Sequence, residues 1–256
     1  MLKKVLFLSC LTMLTGCWAW NPTVEDPAPA DELKKVVETF DRINNPEGIK
    51  CRSYMTRITA TPENLQIRMT LTCFGDLEKK RIRTTVTVPG MPPQVELFDG
   101  KNAYSIIPGM QTKVLSGDNR TFLRYSATHT QPWTCLSDEY ENMKLDQKSF
   151  SVNGKECYRI VAQPAGAPEL SPVELFIDKK TFFPVQTRSV TPTEMGKLPC
   201  TTDFLKFKKV NGALVGQTVK IRQLNMTILA EVQEVKLNCP IPDDTFNAEK
   251  IADEED

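Results

Sequence analysis

The sequence predicts an α+β domain, mainly β, behind an N-terminal export segment. Three observations carry this. Stretches with a period of two outnumber helical stretches heavily between residues 49 and 237. Hairpin turns such as Asp99-Gly100, Asn153-Gly154 and Asn211-Gly212 separate many of them, which favours antiparallel pairing. The chain also opens with Lys3 and Lys4, then an apolar run over residues 5–14 that is too short to span a bilayer.

That run ends in Leu14-Thr15-Gly16-Cys17, which resembles the lipobox of bacterial lipoproteins. The resemblance implies that residues 1–16 are removed and that Cys17 carries diacylglycerol on sulfur and an acylated amine. Its sulfur must sit on the new N-terminus, so the spacing from the apolar run is a chemical requirement. Such a chain is anchored to a membrane without spanning it. Residues 17–30 follow as anchor and tether. Trp18 and Trp20 suit a headgroup zone, and Pro22, Pro27 and Pro29 stiffen the tether.

Composition excludes several classes. The chain has 32 basic and 32 acidic residues, so no global field draws it to nucleic acid. Its only histidine, His129, lies in a polar stretch without a nucleophile motif beside it, and no GxSxG, HExxH or P-loop occurs. Asp138-Glu139 sits in a charged run that reads as a solvated face. No cysteine spacing suggests zinc, so neither a metal nor any cofactor beyond the lipid on Cys17 is expected. An enzyme is not expected.

The domain is expected over residues 31–247, with an acidic tail over 248–256. A helix opens it, with Asp31 as cap and Leu33, Val36, Val37, Phe40 and Ile43 on one face. This face suits a lid on a sheet. Residues 51–60 and 64–74 then read as a hairpin around Thr61-Pro62-Glu63. A turn centred on Pro62 opposes Met55 with Met69, Arg57 with Ile67, and Cys51 with Cys73. Directly opposed side chains lie about 5 Å apart, within disulfide reach.

Cys10 leaves with the leader and Cys17 is the lipid site. An even set remains: Cys51, Cys73, Cys135, Cys157, Cys200 and Cys239. An even number in an exported chain argues for disulfides. Register selects Cys51–Cys73. The other four stay open, except that a meander puts Cys200 and Cys239 at opposite ends of the sheet.

Residues 81–88 form a further strand, with Ile82, Val86 and Val88 on one face, and 95–104 a short hairpin. Residues 118–142 suggest one or two short helices. Hairpins follow around Asn153-Gly154 and Asp178-Lys179-Lys180-Thr181. A proline-containing loop over 191–199 leads to the last three strands, near 202–210, 214–222 and 228–237.

The order of these pieces resembles the LolA/LolB-type lipoprotein carriers. The matching features are the opening amphipathic helix, Leu97-Phe98-Asp99-Gly100-Lys101 with Tyr104, and Val152-Asn153-Gly154-Lys155 with Tyr158. Leu175-Phe176-Ile177-Asp178-Lys179-Lys180 with Pro184 and the ending Ile241-Pro242-Asp243-Asp244-Thr245-Phe246 match too. The resemblance implies a strongly curved antiparallel sheet, an incomplete barrel with helices on its concave side. It implies a cavity for lipid or lipoprotein acyl chains in transit. Met55, Ile67, Met69, Leu71, Ile82, Val86 and Val88 would supply its apolar lining, and methionine adapts to irregular chains; the same stripe also reads as a sealed core. An arginine near this region helps hold the lid in the carriers, and Arg81 or Arg83 is the candidate here.

The expected partners are therefore acyl chains and, through the anchor, the membrane, with the domain a monomer. The expected place is the bacterial cell envelope, facing the periplasm. Trp18 is not the aspartate that retains enterobacterial lipoproteins in the inner membrane, which favours the outer one. The alternative role is a structural or sensing envelope lipoprotein that uses the same fold for protein contacts.

Overall fold

A computed structural model describes residues 20–65, 67–193 and 196–253. The leader, Cys17 and Trp18 lie outside the described residues.

One antiparallel sheet of 14 strands organises them. It is strongly curved and does not close. The strands are β1 (Ser53–Pro62), β2 (Met69–Asp76), β3 (Arg81–Thr87), β4 (Gln94–Phe98), β5 (Ala103–Ile107), β6 (Gln111–Leu115) and β7 (Tyr140–Leu145). The second half holds β8 (Phe150–Val152), β9 (Lys155–Pro164), β10 (Val173–Asp178), β11 (Pro184–Thr193), β12 (Gly196–Val210), β13 (Ala213–Gln223) and β14 (Met226–Leu237). Neighbours run β6-β5-β4-β3-β2-β1-β14-β13-β12-β11-β10-β9-β7, with β8 on β9. Two meanders are thus joined where the first strand meets the last. The strand expected to end the sheet, β14, lies in its middle.

Helix α1 (Ala30–Asn44) starts after Pro29 without a side-chain cap, so Asp31 acts in the first turn rather than as the cap. Val36, Val37 and Phe40 are buried and Leu33 packs beside them, all against Leu145, Ile160, Leu175 and Ile177. Helices α2 (Gly117–His129) and α3 (Leu136–Glu139) fall in the stretch expected to hold short helices. Leu123 and Ala127 of α2 pack on Ile82, Phe98 and Ala103.

Several expectations change. The β1–β2 register places Cys73 opposite Thr56, five positions from Cys51, and Met55 opposite Phe74. The cause is the connection. β1 runs on through Pro62 and β2 begins only at Met69, so the expected tight turn at Thr61-Pro62-Glu63 does not set the pairing. An odd slip also moves Met55 to the other face of the sheet from Met69 and Leu71. With that register the argument that set Cys51 opposite Cys73 no longer holds; the six cysteines from Cys51 onward are free thiols in this structure.

Residues 191–193 and 196–199 of the expected loop are instead strand extensions. Val190 pairs with Pro199 and Pro192 with Lys197. The tether is docked. Residues 26–28 lie along the edge strand β7, with Ala28 N donating to Leu145 O at 2.9 Å and Gln147 N to Asp26 O at 3.0 Å. This covers an edge that would otherwise invite pairing. Residues 248–252, expected within the acidic tail, form helix α4 (Ala248–Ala252), whose Ile251 packs into Val95, Leu97 and Ile106.

Candidate functional site: the helix-covered face

Register assigns each strand residue to a face. On the face that carries α1, α2 and α3, the central strands present Ile58 and Ala60 of β1, and Met69, Leu71 and Cys73 of β2. They continue with Ile228, Ala230 and Val232 of β14, then Val219 and Ile221 of β13 and Phe204 of β12. Thr59, Thr70, Thr72, Arg57, Glu231 and Lys220 alternate with these on the opposite face. A water-facing polar side is the usual partner of a covered apolar side. Here, however, Ile58, Met69, Leu71, Val86, Val219, Ile221, Ile228 and Val232 are only half-buried. The middle of the apolar face is incompletely covered.

The helices frame this opening. α1 packs on α3, β7 and β13, and α2 reaches from β3, β4 and β5 across to β11. At the far side of that reach Asp118 pairs with Lys197 at 3.0 Å, and Thr121 Oγ1 donates to Glu169 at 3.0 Å. α1 and α3 are clasped: Asp41 accepts the Leu136 N–H at 2.7 Å and the Ser137 N–H at 3.1 Å. These are donors that a helix start leaves without intrahelical partners.

A polar cluster sits under the helices. Tyr54 lies flat over β2, where a Cβ on Gly75 would come within 2.2 Å of its ring. Its hydroxyl meets Cys73 Sγ at 3.8 Å. Tyr125 donates to the Glu139 carbonyl at 3.1 Å, and Glu139 Oε1 accepts the Cys135 N–H at 2.8 Å. Burial, with the charges of Asp41 and Asp138, pushes the Glu139 carboxyl up to about 8. It is therefore largely protonated at neutral pH. His129 stacks on Tyr125 and touches the Asp138 carbonyl at 2.8 Å through Nδ1. No nucleophile is positioned on it by these contacts.

Of the lining predicted from sequence, Met69, Leu71, Ile82 and Val86 lie on this face, with Ile82 sealed beneath α2. Met55 is on the opposite face by register. Ile67 leaves β2 for the loop and is 43% exposed, and Val88 follows the end of β3. Ile67 thus joins Leu65, Met91, Leu224 and Met226, exposed apolar residues at one end of the sheet, where the β1–β2, β3–β4 and β13–β14 connections cluster. The lining from β12, β13 and β14 was missed. Its alternation is visible in sequence, but not its adjacency to β1. Arg81 faces away from the lid. It bonds Asp76 at 2.6 Å and Asp243 at 2.7 Å and stacks on Phe246 at 4.4 Å, fastening the C-terminal turn. Arg83 shares that outward face and donates to Thr85 at 3.2 Å.

A separate cleft of about 430 Å³ opens on the outer face, lined by Asp146, Lys148, Arg159, Glu174 and Arg188 with Phe150 and Phe176. Arg159 pairs there with Asp146 at 2.9 Å and Glu174 at 2.5 Å. Arg188 also lies 3.9 Å from Glu174, and this charged wall suits an acyl chain poorly.

This architecture, an open curved sheet with helices in its concavity, is the LolA-like fold. A LolA superfamily protein from Nitrosomonas europaea matches with a TM-score of 0.53 at 14% identity, over 84% of this chain and 96% of that one. A putative outer membrane lipoprotein-sorting protein domain from Vibrio parahaemolyticus matches at 0.55 and 10% identity, over 85% and 97%. A DUF1329 family protein from Desulfovibrio piger matches at 0.58 and 11% identity, over 88% and 99%. No protein-family model matches the chain, and no curated protein matches it by sequence.

Proposed function

We propose that the protein is a membrane-anchored lipoprotein of the bacterial envelope that holds a lipid or lipoprotein acyl chain against its helix-covered face, in lipoprotein sorting or transport. The observation that carries this is the half-buried apolar centre, Ile58, Leu71, Val219, Ile221 and Val232, on strands whose other side carries Arg57, Thr59, Thr70, Thr72, Lys220 and Glu231. An acyl chain asks for apolar surface and shape, not for a nucleophile or metal. The fold shared with a putative lipoprotein-sorting domain supports the reading. The acyl group on Cys17 is the membrane attachment, the domain faces the periplasm as a monomer, and the outer membrane is the favoured site. The protein acts as a binder and not as an enzyme.

Leu71→Glu tests this. A charge on an open groove should weaken a fluorescent fatty-acid probe at least tenfold while the far-ultraviolet dichroism and a cooperative melt remain. Absence of probe binding by the wild type would overturn the groove reading and favour a protein-contact role. For the anchor, Cys17→Ser should move the protein out of the membrane fraction. Unchanged fractionation and an unchanged N-terminal mass would refute acylation.

A further inference from the structure

We propose that Cys51 and Cys239 are a redox pair whose disulfide fastens the start of β1 to the end of β14. The inference is independent of what the apolar face binds.

The two strands pair as far as Tyr54 and Leu237. Beyond that pair the chains stay tied. Asn238 N donates to Ser53 O at 2.7 Å. The Asn238 side chain accepts the Arg52 N–H at 2.8 Å and donates to Lys50 O at 3.1 Å. Ser53 Oγ donates to the Cys239 carbonyl at 2.7 Å, a contact between residues 186 apart in sequence. Residues 50–53 and 238–239 are thus held side by side, with one cysteine in each segment.

Strict alternation would set Cys239 against Arg52. Asn238 breaks it with a left-handed φ of 52°. Each thiol makes only a weak contact to its own strand end, Cys51 Sγ to Ser53 O at 3.6 Å and Cys239 Sγ to Lys236 O at 3.9 Å. Side-chain rotation is therefore cheap. Both residues are partly exposed, so an oxidant can reach them.

The other described cysteines are placed elsewhere. Cys73 faces Tyr54 inside the sheet. Cys157 is sealed with Phe176 and Val185. Cys135 starts α3. Cys200 pairs with Gln223 near the β13–β14 turn, at the end of the sheet opposite Cys239.

The chemistry is thiol–disulfide exchange with an external disulfide, small or carried by a dithiol oxidoreductase. Burial, with Cys239 beside it, pushes the Cys51 thiol up to about 12, so Cys239 is the attacking sulfur. Its thiolate breaks the external S–S bond and forms a mixed disulfide, releasing one thiolate. Cys239 then carries no charge, which relieves part of the penalty on Cys51. Cys51 loses its proton to solvent, attacks Cys239 Sγ and expels the second thiolate. Two protein thiols are oxidised by two electrons, and one external disulfide is reduced to two thiols.

The purified full chain, incubated with oxidised glutathione and digested without reductant, should yield a linked peptide pair carrying Cys51 and Cys239. Cys51 linked to any other cysteine, or both residues recovered as free thiols, would overturn the proposal. Melting gives a second reading. The wild type should melt several degrees higher oxidised than reduced. Cys51→Ser, Cys239→Ser and the double variant should each lose that shift to the same extent. A shift that persists in either single variant would also overturn it.

Discussion

The wing built from β7, β9 and β10 and the centre built from β2, β1, β14 and β13 carry the same apolar alternation on the same side of one sheet. In the wing that side is sealed: Leu145, Ile160 and Ile177 lie under Val36, Val37 and Phe40 of α1. In the centre Ile58, Leu71, Val219 and Val232 remain half-buried. Strand pattern decides which side is apolar. What covers it is decided by where helices land: α1 sits over the wing as far as β13, and α2 reaches from β3 to β11, yet the strands between keep a strip of half-buried side chains. The difference separates side chains sealed in the core from side chains left partly open to water.

Truncation should break the two regions unequally. Phe40 is 1% exposed, so Phe40→Ala should cost about 3–5 kcal/mol in denaturant unfolding, by lost transfer and a cavity that cannot collapse. A loss below about 1 kcal/mol would mean that the wing is not sealed.

Next comes the polar cluster at the border of the two regions. Glu139 is raised from 4.5 to about 8, chiefly by burial, with Asp41 and Asp138 adding to it and the Cys135 N–H opposing it. Tyr125 and Tyr140 complete the surroundings and are themselves raised by burial first and by Glu139 next. The folded state therefore holds a proton that the unfolded chain releases near 4.5. Its stabilisation is fully present below that pH and is lost as pH rises toward about 8. Melting temperature should fall over this window, and Glu139→Gln, which keeps an acceptor for the Cys135 N–H, should flatten the fall. Equal slopes in both proteins would remove Glu139 from the account.

The clasp between α1 and α3 should matter less for stability. Asp41→Ala strands two N–H groups and should cost about 1–2 kcal/mol, in the range of a lost helix cap. Hydrogen exchange should quicken at Leu136 and Ser137 more than in β9 or β10. Uniform protection would mean that the clasp holds nothing. The smallest effect is expected in the centre. Leu71→Ala should cost about 1 kcal/mol, since part of this side chain already faces water. A cost as large as that of Phe40→Ala would erase the contrast between wing and centre.

Much of this contrast was legible in the residues. The face of α1, the hairpin turns and the apolar sides of β2 and β3 follow from period and turn chemistry, which are local. The register of β1 on β2 was not, because it depends on how far β1 runs past its expected end and on the six residues that return it. That slip misplaced Met55 and removed the register that had set Cys51 opposite Cys73. The pairing of β1 with β14 was also out of reach, since nothing near Tyr54 announces Leu237. Half of the apolar centre went with it. Arg81 was visible as a special residue, but its role depends on Asp243, far along the chain.

The meeting of first and last strands has a consequence for synthesis, and for export if the chain is secreted as proposed. β1 is complete once residue 62 has emerged, yet its partner along one edge, β14, is not complete until residue 237. Non-local pairing of this kind is slow, because the intervening chain must be closed before the contact rewards it. Until then β1 presents an unpaired edge beside a bare apolar face, the condition in which strands recruit one another between molecules. A chain crossing a membrane from its N-terminus would carry that edge open through almost its whole passage. Folding of the centre would then wait for the end of translocation, and the interval would be the one in which the protein most needs a chaperone.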